Sequence, residues 1–376
     1  MSSSLTLIEV KNVQLERAFL EMPWTIYQDD PMWVPPLKLA LKDLLNEKKH
    51  PFYETAKMKR WLCFRGGKAV GRIASIINHR HNQFHQEQCG HFGFFECIND
   101  DLVANALIKR VSEDLRAQGM TSMKGPVNPS TNYESGMLID GFDDPPQIMM
   151  TYNKSYYPEM FYRLGFHKQM DLYAYMAKAS TEPPNTFVRI AERVYKVPNI
   201  KWRPINLKNF AEEVRFILDV YNASWEKNWG FVPVTEKEFK HIANDIKSIC
   251  KPEYTCLVEI GGDPAGVLIA LPDYNRIFHK VKDGKLFPTG LLKILLGQKK
   301  IDRIRVPIMG VKKEYRKHGV AVLMYMELYK AIKANPKIKE LEMSWILENN
   351  EDMNRAIHLM GVKEPYKTYR IYEKSL

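Results

Sequence analysis

The chain has 376 residues, of which 45% are hydrophobic and 11% aromatic; this excludes a disordered chain and allows two domains with separate cores. A net charge of +11 indicates an acidic partner, such as a phosphorylated cofactor, an anionic acceptor, nucleic acid or a lipid headgroup. Basic residues are mostly interleaved with acidic ones, and no aromatic stacking platform alternates with them. We therefore do not expect a nucleic-acid partner.

The five cysteines are odd in number and form no C-x-x-C pair, so neither a disulfide framework nor a zinc site is predicted. The first five residues do not resemble a secretion signal, and no apolar run approaches the ~18 residues that a membrane span requires. We expect a cytoplasmic protein without a membrane span. The histidine-rich run at 79–85 is predicted as a loop, because Asn82 and the preceding strand pattern disfavour a helix, and no metal is expected there.

In chain order, a hairpin pattern occurs twice at an offset of 195 positions, once around Gly66-Gly67 and again around Gly261-Gly262. Other segments repeat at nearly the same offset, and each half finishes on an alternating strand. The matched segments are 61–74 and 256–270, 33–36 and 229–233, 164–168 and 360–363, and the closing strands 169–175 and 369–372. One internal duplication explains these matches.

The polar, proline-marked segment 179–185 is the predicted linker between the two halves. We expect an N-terminal domain at 1–180 and a C-terminal domain at 186–376. Each half shows the order strand, helices, hairpin, strand, helix, strand, helix, strand. This order predicts an α/β fold that differs from a parallel doubly wound sheet.

The segment 301–332 combines a strand, a basic turn and a helix. From Val320 onward the apolar residues recur at spacings of three and four, which predicts an amphipathic helix that begins near Gly319. The first N–H groups of such a helix lack internal acceptors and carry the positive end of its dipole, and the basic residues 316–318 precede them. The turn is interpreted either as a phosphate site or as a tight strand-to-helix turn.

The corresponding helix of the first half is entered through Asn99, Asp100 and Asp101. Aspartates are good helix caps, but their charge repels phosphate. We therefore expect only the second half to bind a phosphorylated cofactor. The first half is expected to be a degenerate copy that shapes the acceptor site.

After the R-x-x-G-x-A motif from Arg316 to Ala321 come a helix, a strand at 341–345, the segment 348–350 and a last helix. This order resembles the GCN5-related N-acetyltransferase (GNAT) superfamily, and the whole chain resembles its tandem, YghO-like members. The resemblance implies two tandem domains, each with a splayed, mostly antiparallel mixed sheet, and a gap that admits the pantetheine arm of acyl-CoA. The residues implied for acyl-CoA binding are Met309, Val311, Arg316, Lys317, His318, Gly319, Val320, Ala321 and Asn350.

In this superfamily a tyrosine seven positions after the asparagine that opens the last helix typically protonates the leaving thiolate. Counted from Asn350, that position is Ile357 in this chain. A general acid must therefore come from elsewhere, and the alternatives are water, Tyr369, Tyr372 and His358. Tyrosines on an alternating strand are also common packing residues.

Direct attack on a thioester requires a backbone N–H near the oxyanion and a base for the acceptor. We expect the N–H of Met309 or Val311 in the first role. The base is expected at Glu348, with Glu259 in the hairpin strand as an alternative, although a capping or solvated role also fits Glu348. The catalytic candidates are thus Glu348 and Tyr372.

The acceptor wall is predicted at 221–231, where Trp225, Asn228, Trp229 and Phe231 are the candidate substrate-binding residues. Helix-pair packing explains these side chains equally well. In the first half, the polar loop at 124–136 is either functional or an ordinary surface loop.

Together these features predict an acyl-CoA-dependent N-acyltransferase, with acetyl transfer from acetyl-CoA to the amine of a small molecule or peptide as the first hypothesis. A long-chain N-acyltransferase and a CoA-binding module without turnover are the alternatives. The protein is expected to be a monomer or homodimer and to need no metal.

Overall fold

The computed structural model describes residues 4–376, so the predicted lack of a secretion signal falls partly outside the described residues. The strands are β1 (Leu5–Glu9), β2 (Ala56–Arg65), β3 (Lys68–Asn78), β4 (Cys89–Cys97), β5 (Ser122–Gly125), β6 (Val127–Asn128), β7 (Glu134–Ser135), β8 (Met137–Asp140), β9 (His167–Lys178), β10 (Ile200–Arg203), β11 (Thr255–Ile260), β12 (Asp263–Pro272), β13 (Arg303–Val311), β14 (Glu340–Leu347) and β15 (Lys367–Ser375).

The helices are α1 (Val13–Ile26), α2 (Lys38–Leu44), α3 (His79–His85), α4 (Asp101–Ala117), α5 (Tyr157–Arg163), α6 (Asn185–Val194), α7 (Phe210–Trp225), α8 (Glu236–Lys247), α9 (Asn275–Phe278), α10 (Thr289–Gly297), α11 (Val320–Ala334) and α12 (Glu351–Leu359). Within residues 4–376, none of these helices has the length and apolar character needed to cross a membrane.

The chain divides into two compact units. Unit 1 contains the chain up to Leu172 together with Ile277–Leu296 and Lys367–Leu376, and unit 2 contains Tyr173–Arg276 and Gly297–Tyr366. The units follow the two predicted halves along most of the chain. Unit 1 also includes two segments of the second half, and unit 2 includes residues 173–180 of the first half. The domain boundaries at 1–180 and 186–376 stay a prediction about the duplication.

The sheet of unit 1 has the order β1-β2-β3-β4-β5-β15, and β8 also pairs with β15. β4 and β5 are parallel, whereas the other pairs are antiparallel. Helix α4 packs on this sheet over a core that includes Ile73, Phe92 and Leu107.

The sheet of unit 2 has the order β14-β13-β12-β11-β10, and the part of β9 that belongs to unit 2 is the neighbour of β14. β13 and β14 are parallel, whereas each strand from β10 to β12 pairs antiparallel with the strand that follows it in the chain. Helix α11 packs on this sheet over Val258, Leu268 and Leu323. A mixed, mostly antiparallel sheet flanked by helices is therefore confirmed in each unit.

The duplication is visible in the hairpins. Gly66-Gly67 and Gly261-Gly262 turn β2 into β3 and β11 into β12, and all four glycines have positive φ, as tight hairpin turns require. Each hairpin also has a register shift at the same relative position, at Cys63/Phe64 and at Val258/Glu259. The repeated plan read from the sequence thus extends to backbone irregularities.

Two glycines at the repeat offset have the same packing role. A Cβ at Gly71 would lie 2.8 Å from Cδ1 of Leu107 on α4, and a Cβ at Gly266 would lie 2.7 Å from Cγ1 of Val320 on α11. In each unit, therefore, the helix after the hairpin approaches the sheet at a residue without a side chain.

The closing strands pair outside their own halves. β15, the last strand of the chain, pairs in unit 1, with Tyr372 opposite Gly125 and Tyr369 opposite Leu138. β9, the closing strand of the first half, continues into unit 2 beside β14. The alternating pattern predicted both strands correctly, but strand pairing is long-range and is not encoded in that pattern.

Candidate functional site

The parallel strands of unit 2 separate along their length. β13 and β14 pair from Arg303 and Glu340 to Val306 and Met343, and both strands continue beyond the last pair. Pro307 follows that pair and has no N–H to donate. A register shift in β12 lies opposite this point. The splayed pair that the sequence predicted is therefore present, with a proline and a bulge at its origin.

The edge of β13 beyond Val306 carries free donors. The N–H of Lys312 donates to the carbonyl of Ala265, in β12, at 3.0 Å. Since N–H groups alternate between the two sides of a strand, those of Val311 and Met309 point away from β12, towards the side where β14 diverges. The two backbone donors chosen from the sequence thus share one open edge.

The basic turn lies at the end of this edge. Residues Lys313–His318 form a 3-10 turn, Gly319 adopts a left-handed conformation with φ of 73°, and α11 begins at Val320, as predicted. Within the described part of the chain, no side chain caps α11, and its first turn contains no acidic residue. The N-terminal N–H groups of a fifteen-residue helix are thereby available to an anion.

Arg316, Lys317 and His318 are exposed beside this helix end. The Arg316 guanidinium is held at the turn, because it donates to the carbonyls of Val311 at 3.4 Å and Ser224 at 3.3 Å. The three basic side chains therefore surround the helix N-terminus, which favours the phosphate interpretation over a mere tight turn.

Gly319, one of the residues implied for acyl-CoA binding, also has a packing role. A Cβ at this position would lie 2.7 Å from Cγ2 of Val194 and 3.0 Å from Cγ2 of Ile190, both on α6. Glycine is needed here for the positive φ and for contact with α6, and clearance for a pyrophosphate does not explain it. A substitution at Gly319 would therefore disturb the fold, so this position cannot serve as a clean test of anion binding.

A buried polar cluster lies at the point where the strands separate, and sequence analysis missed it. The Arg305 guanidinium donates to Oγ of Ser344 at 2.7 Å and forms an ion pair with Glu342 at 3.4 Å. The hydroxyl of Tyr366 donates to the same carboxylate. The only sequence signal was the presence of charged residues inside two apolar strands.

Trp345 lies next to this cluster, two residues after the last pair of β14 with β13. The Arg305 guanidinium lies 5.0 Å from its ring centroid, and the residue has φ of 55°, an uncommon value for a bulky side chain. Among residues 4–376, no group accepts a hydrogen bond from its buried Nε1. An unused indole donor beside an open strand edge fits the amide and carbonyl groups of a pantetheine arm.

The predicted acceptor wall joins the same edge. Trp225 ends α7, and a Cβ at Gly310 would lie 2.3 Å from Cζ3 of its indole. Tyr221 stacks on Trp225 with ring centroids 4.7 Å apart, and Phe231 lies 6.0 Å from Tyr221. The Asn228 N–H donates to the carbonyl of Trp225 at 2.8 Å. Three of these aromatic rings therefore form one surface against β13.

Trp229 is half-buried in the turn that follows α7. Phe231 is buried and its N–H donates to the carbonyl of Asn228. These contacts give Asn228 and Phe231 a structural role in the turn, whereas Trp225 has the most direct contact with the strand edge.

The two catalytic candidates belong to different units. Glu348 follows β14 in unit 2, one residue past the strand end, and is half-buried. Tyr372 is 4% exposed in β15 of unit 1, where its ring packs near Phe161 and Phe166 and burial raises the pKa of its hydroxyl. The structure thus assigns Tyr372 to a hydrophobic core, and only Glu348 remains as a candidate.

The last helix begins as expected. Asn350 caps α12, since its side-chain oxygen accepts from the Met353 N–H at 3.2 Å. Ile357 is fully buried in the core of unit 2, and His358 is exposed. The position where a tyrosine was expected is therefore a packing position in this chain, and the side chain of Asn350 is used for capping.

Unit 1 differs from unit 2 at the corresponding helix end. The side chain of Asp100 caps α4, accepting from the N–H groups of Leu102 at 2.9 Å and Val103 at 3.3 Å. Asp100 also pairs with Arg65 at 2.7 Å, and Asp101 pairs with Arg163 at 2.8 Å. The helix end in unit 1 is thus neutralised by its own side chains and offers no comparable anion site.

The histidine-rich run is a helix, so the predicted loop is wrong. Asn78 ends β3 and caps α3 through Arg80 and His81, a start signal that the strand pattern concealed. His81, Cys89 and His91 are buried, with possible ligand atoms within 4.8 Å of one another.

Neighbouring charges explain this cluster without a metal. Nε2 of His81 lies 2.5 Å from Oε1 of Glu87, and Lys124 pairs with Glu87 at 2.7 Å. The positive charge of Lys124 beside this cluster disfavours the binding of a metal cation. We interpret the group as a hydrogen-bonded core cluster.

Comparisons with known proteins agree with this architecture. No family model matches the sequence. Protein YghO of Escherichia coli (strain K12) is 36% identical over 366 residues, covering 96% of this chain and 93% of the relative. The bacterial ceramide synthase of Caulobacter vibrioides is 33% identical over 384 residues, covering 100% of this chain and 98% of the relative.

Solved structures share the fold at low sequence identity. A tandem GNAT protein from the clavulanic acid biosynthesis pathway superposes with a TM-score of 0.60 at 12% identity, over 99% of this chain and 98% of that one. A GCN5-related N-acetyltransferase from Sphaerobacter thermophilus gives a TM-score of 0.53 at 11% identity, over 98% and 95%.

Proposed function

We propose that this chain, which belongs to the tandem, YghO-like branch of the GNAT superfamily, transfers a long-chain acyl group from acyl-CoA to the amine of a lipid. The observation that carries the proposal is the arrangement in unit 2 of an open β13 edge that leads to the uncapped N-terminus of α11. An extended thioester-bearing arm that ends in a pyrophosphate matches both parts.

The basic turn would hold the phosphates. The N–H groups of residues 317–321 form the end of the 3-10 turn and the start of α11, and Arg316, Lys317 and His318 lie around them. One of the outward N–H groups of Met309 and Val311 would donate to a pantetheine carbonyl and the other would remain for the thioester oxygen, while Nε1 of Trp345 supplies a further donor.

The chemistry is the direct attack of an amine nitrogen on the thioester carbonyl. A carbon–nitrogen bond forms, the carbon–sulfur bond breaks, and the amine loses one proton while the thiolate gains one. A backbone N–H on the β13 edge would stabilise the oxyanion, and Glu348 at the end of β14 is our candidate base. Since Ile357 cannot protonate the thiolate, we assign that proton to water.

The preference for a long-chain acyl group and a lipid amine rests on two observations. The relative named bacterial ceramide synthase aligns along the whole chain, and a ceramide is a long-chain amino alcohol acylated on nitrogen. The stacked rings of Trp225 and Tyr221, both half-buried, border the strand edge where the reacting groups would meet. Such a surface suits an apolar chain better than a small polar amine.

The test is a thiol-release assay with the full-length protein. Palmitoyl-CoA and acetyl-CoA are each combined with a long-chain amino alcohol, with a water-soluble amine and with no amine. All five cysteines are buried, so a thiol reagent added in native buffer reports mainly on released CoA. The amide product is then identified by mass spectrometry.

We expect release and amide formation with palmitoyl-CoA and the long-chain amine. Release only with acetyl-CoA would contradict the long-chain assignment and favour acetyl transfer. Binding of acyl-CoA without release, with every amine tried, would favour the non-catalytic CoA-binding module.

A further inference from the structure

Helix α10 and the loop before it expose an unusual number of large apolar side chains. These side chains are between 37% and 68% exposed, and they are Phe287, Leu291, Leu292, Leu295 and Leu296. Other exposed large apolar residues, such as Leu102 and Leu359, lie on other helices. We call the five residues the α10 patch. A contiguous apolar group of this kind marks an interaction surface, whereas isolated ones are ordinary.

The helical spacing gathers the four leucines on one side. Leu291 and Leu295 are four residues apart, as are Leu292 and Leu296, so they form two adjacent rows. Gly290, in the first turn, is buried, and a Cβ there would lie 2.2 Å from the carbonyl oxygen of Lys285. The helix therefore packs against its own loop at Gly290 and presents its leucine rows outward.

The base of this segment is fixed to unit 1. The Trp24 indole donates to the carbonyl of Lys282 at 2.8 Å, and the Lys38 N–H donates to the carbonyl of Gly284 at 2.9 Å. Gly284 has φ of 65°, and a Cβ there would lie 2.5 Å from Cζ2 of Trp24. The α10 patch is thus carried by an anchored turn.

The surroundings of the patch are strongly basic. Residues 280–296, which belong to unit 1, contain four lysines and a single acidic residue, Asp283, and all of these side chains are exposed. The lysines are Lys280, Lys282, Lys285 and Lys293. Exposed apolar side chains interleaved with lysines match the apolar interior and anionic headgroups of a membrane surface.

We propose that the α10 patch docks this protein on the surface of an anionic lipid membrane, with the leucines in the headgroup boundary and the lysines on the phosphates. At nine residues, α10 is far too short to span a bilayer, so it would lie in the interface. A protein partner is the weaker choice, because lysine is depleted in protein–protein interfaces. The proposal does not depend on the acyl transfer proposed above.

The test is flotation of the full-length protein with vesicles of phosphatidylcholine alone or mixed with phosphatidylglycerol, at low and high salt. The double variant Leu292→Ser/Leu296→Ser removes apolar area from the patch. The matched control, Leu102→Ser/Leu359→Ser, replaces two similarly exposed leucines elsewhere. Because all four side chains are exposed, we expect unchanged melting temperatures in both variants.

We expect wild-type protein and the control to bind mixed vesicles, with weaker binding at high salt, and the patch variant to bind at least about tenfold less. Equal binding by the patch variant, or no binding by the wild type to either vesicle, would overturn the proposal. The proposal would also be overturned if the wild-type protein were a dimer that bound no vesicles and the patch variant were a monomer, because the patch would then be a dimer interface. Thiol release is also measured with micellar substrate, which requires no vesicle binding. This assay distinguishes a loss of membrane docking from a failure of the proposed acyl transfer.

Discussion

The indole of Trp225 covers the backbone of Gly310, with Cζ3 and Cη2 only 2.3 and 2.6 Å from where a Cβ would lie. Gly310 belongs to the part of β13 beyond its last pair with β14, so Trp225 of the predicted acceptor wall directly contacts the open edge. The effects of substitutions at these two residues should therefore be energetically coupled.

Replacing Gly310 by alanine should move the indole and lower the free energy of unfolding by about 1–3 kcal/mol. Trp225→Ala vacates that space, so the double variant should be less impaired than the sum of the two single changes. Chemical denaturation of the four proteins measures this coupling. Strictly additive losses would show that the contact does not govern either residue.

The variant Arg316→Ala/Lys317→Ala should weaken acyl-CoA binding by at least about tenfold, because it removes two cations beside the N-terminus of α11. Both side chains are exposed, so the fold should be preserved. Lys337→Ala, just beyond the other end of the same helix, is the matched control. Calorimetry should find wild-type affinity in the control, and equal losses in both proteins would indicate a general charge effect.

Glu348→Gln should lower kcat by about a hundredfold and leave acyl-CoA affinity unchanged, because a base acts on the amine and does not hold the cofactor. The comparison variant is Glu259→Gln. Glu259 lies in β11, which is separated from β13 by β12, and its carboxylate lies 3.5 Å from Arg203. Steady-state thiol release measures both. If Glu348→Gln retains full turnover, the base lies elsewhere.

The stability of unit 1 should fall as the pH falls below about 6.5, the ordinary histidine pKa. Burial lowers the pKa of His81 and lowers that of His91 still further, and the charges of Lys124 and of the neighbouring His85 act in the same direction. The unfolded chain therefore binds more protons below pH 6.5, and folding free energy is lost there.

Melting temperatures at about pH 7.5 and 5.5 measure this loss. His81 holds the pKa of Glu87 at about 2, so this carboxylate stays ionised throughout the range. His91→Asn should flatten the dependence. A wild-type melting temperature that does not change between the two values would show that these histidines are not buried in the neutral form.

Local features of the fold were predictable from the sequence. The hairpins required only glycine pairs between alternating segments, and α11 was signalled by apolar spacing after Gly319. The partner of β15 was not predictable, because pairing Tyr372 with Gly125 joins residues that are far apart in the sequence. The sequence therefore predicted the strand but not its neighbours in the sheet.

The site residues remain a prediction. The family resemblance implied Met309 and Val311, and the basic turn was visible as a motif between one strand and one helix. The contact of Arg305 with Glu342 joins two strands separated by a helix, so no local pattern reports it. The leucines of α10 have the same residue type as core leucines, so composition alone does not indicate that they lie at the surface.

The most direct test of the central claim is a calorimetric titration of the wild-type protein with palmitoyl-CoA, kept below its micelle-forming concentration, and in parallel with acetyl-CoA. We predict micromolar or tighter binding, roughly 8 kcal/mol, with the long-chain thioester bound more tightly. The absence of heat and of any thermal shift with both ligands at saturating concentration would contradict an acyl-CoA site in unit 2.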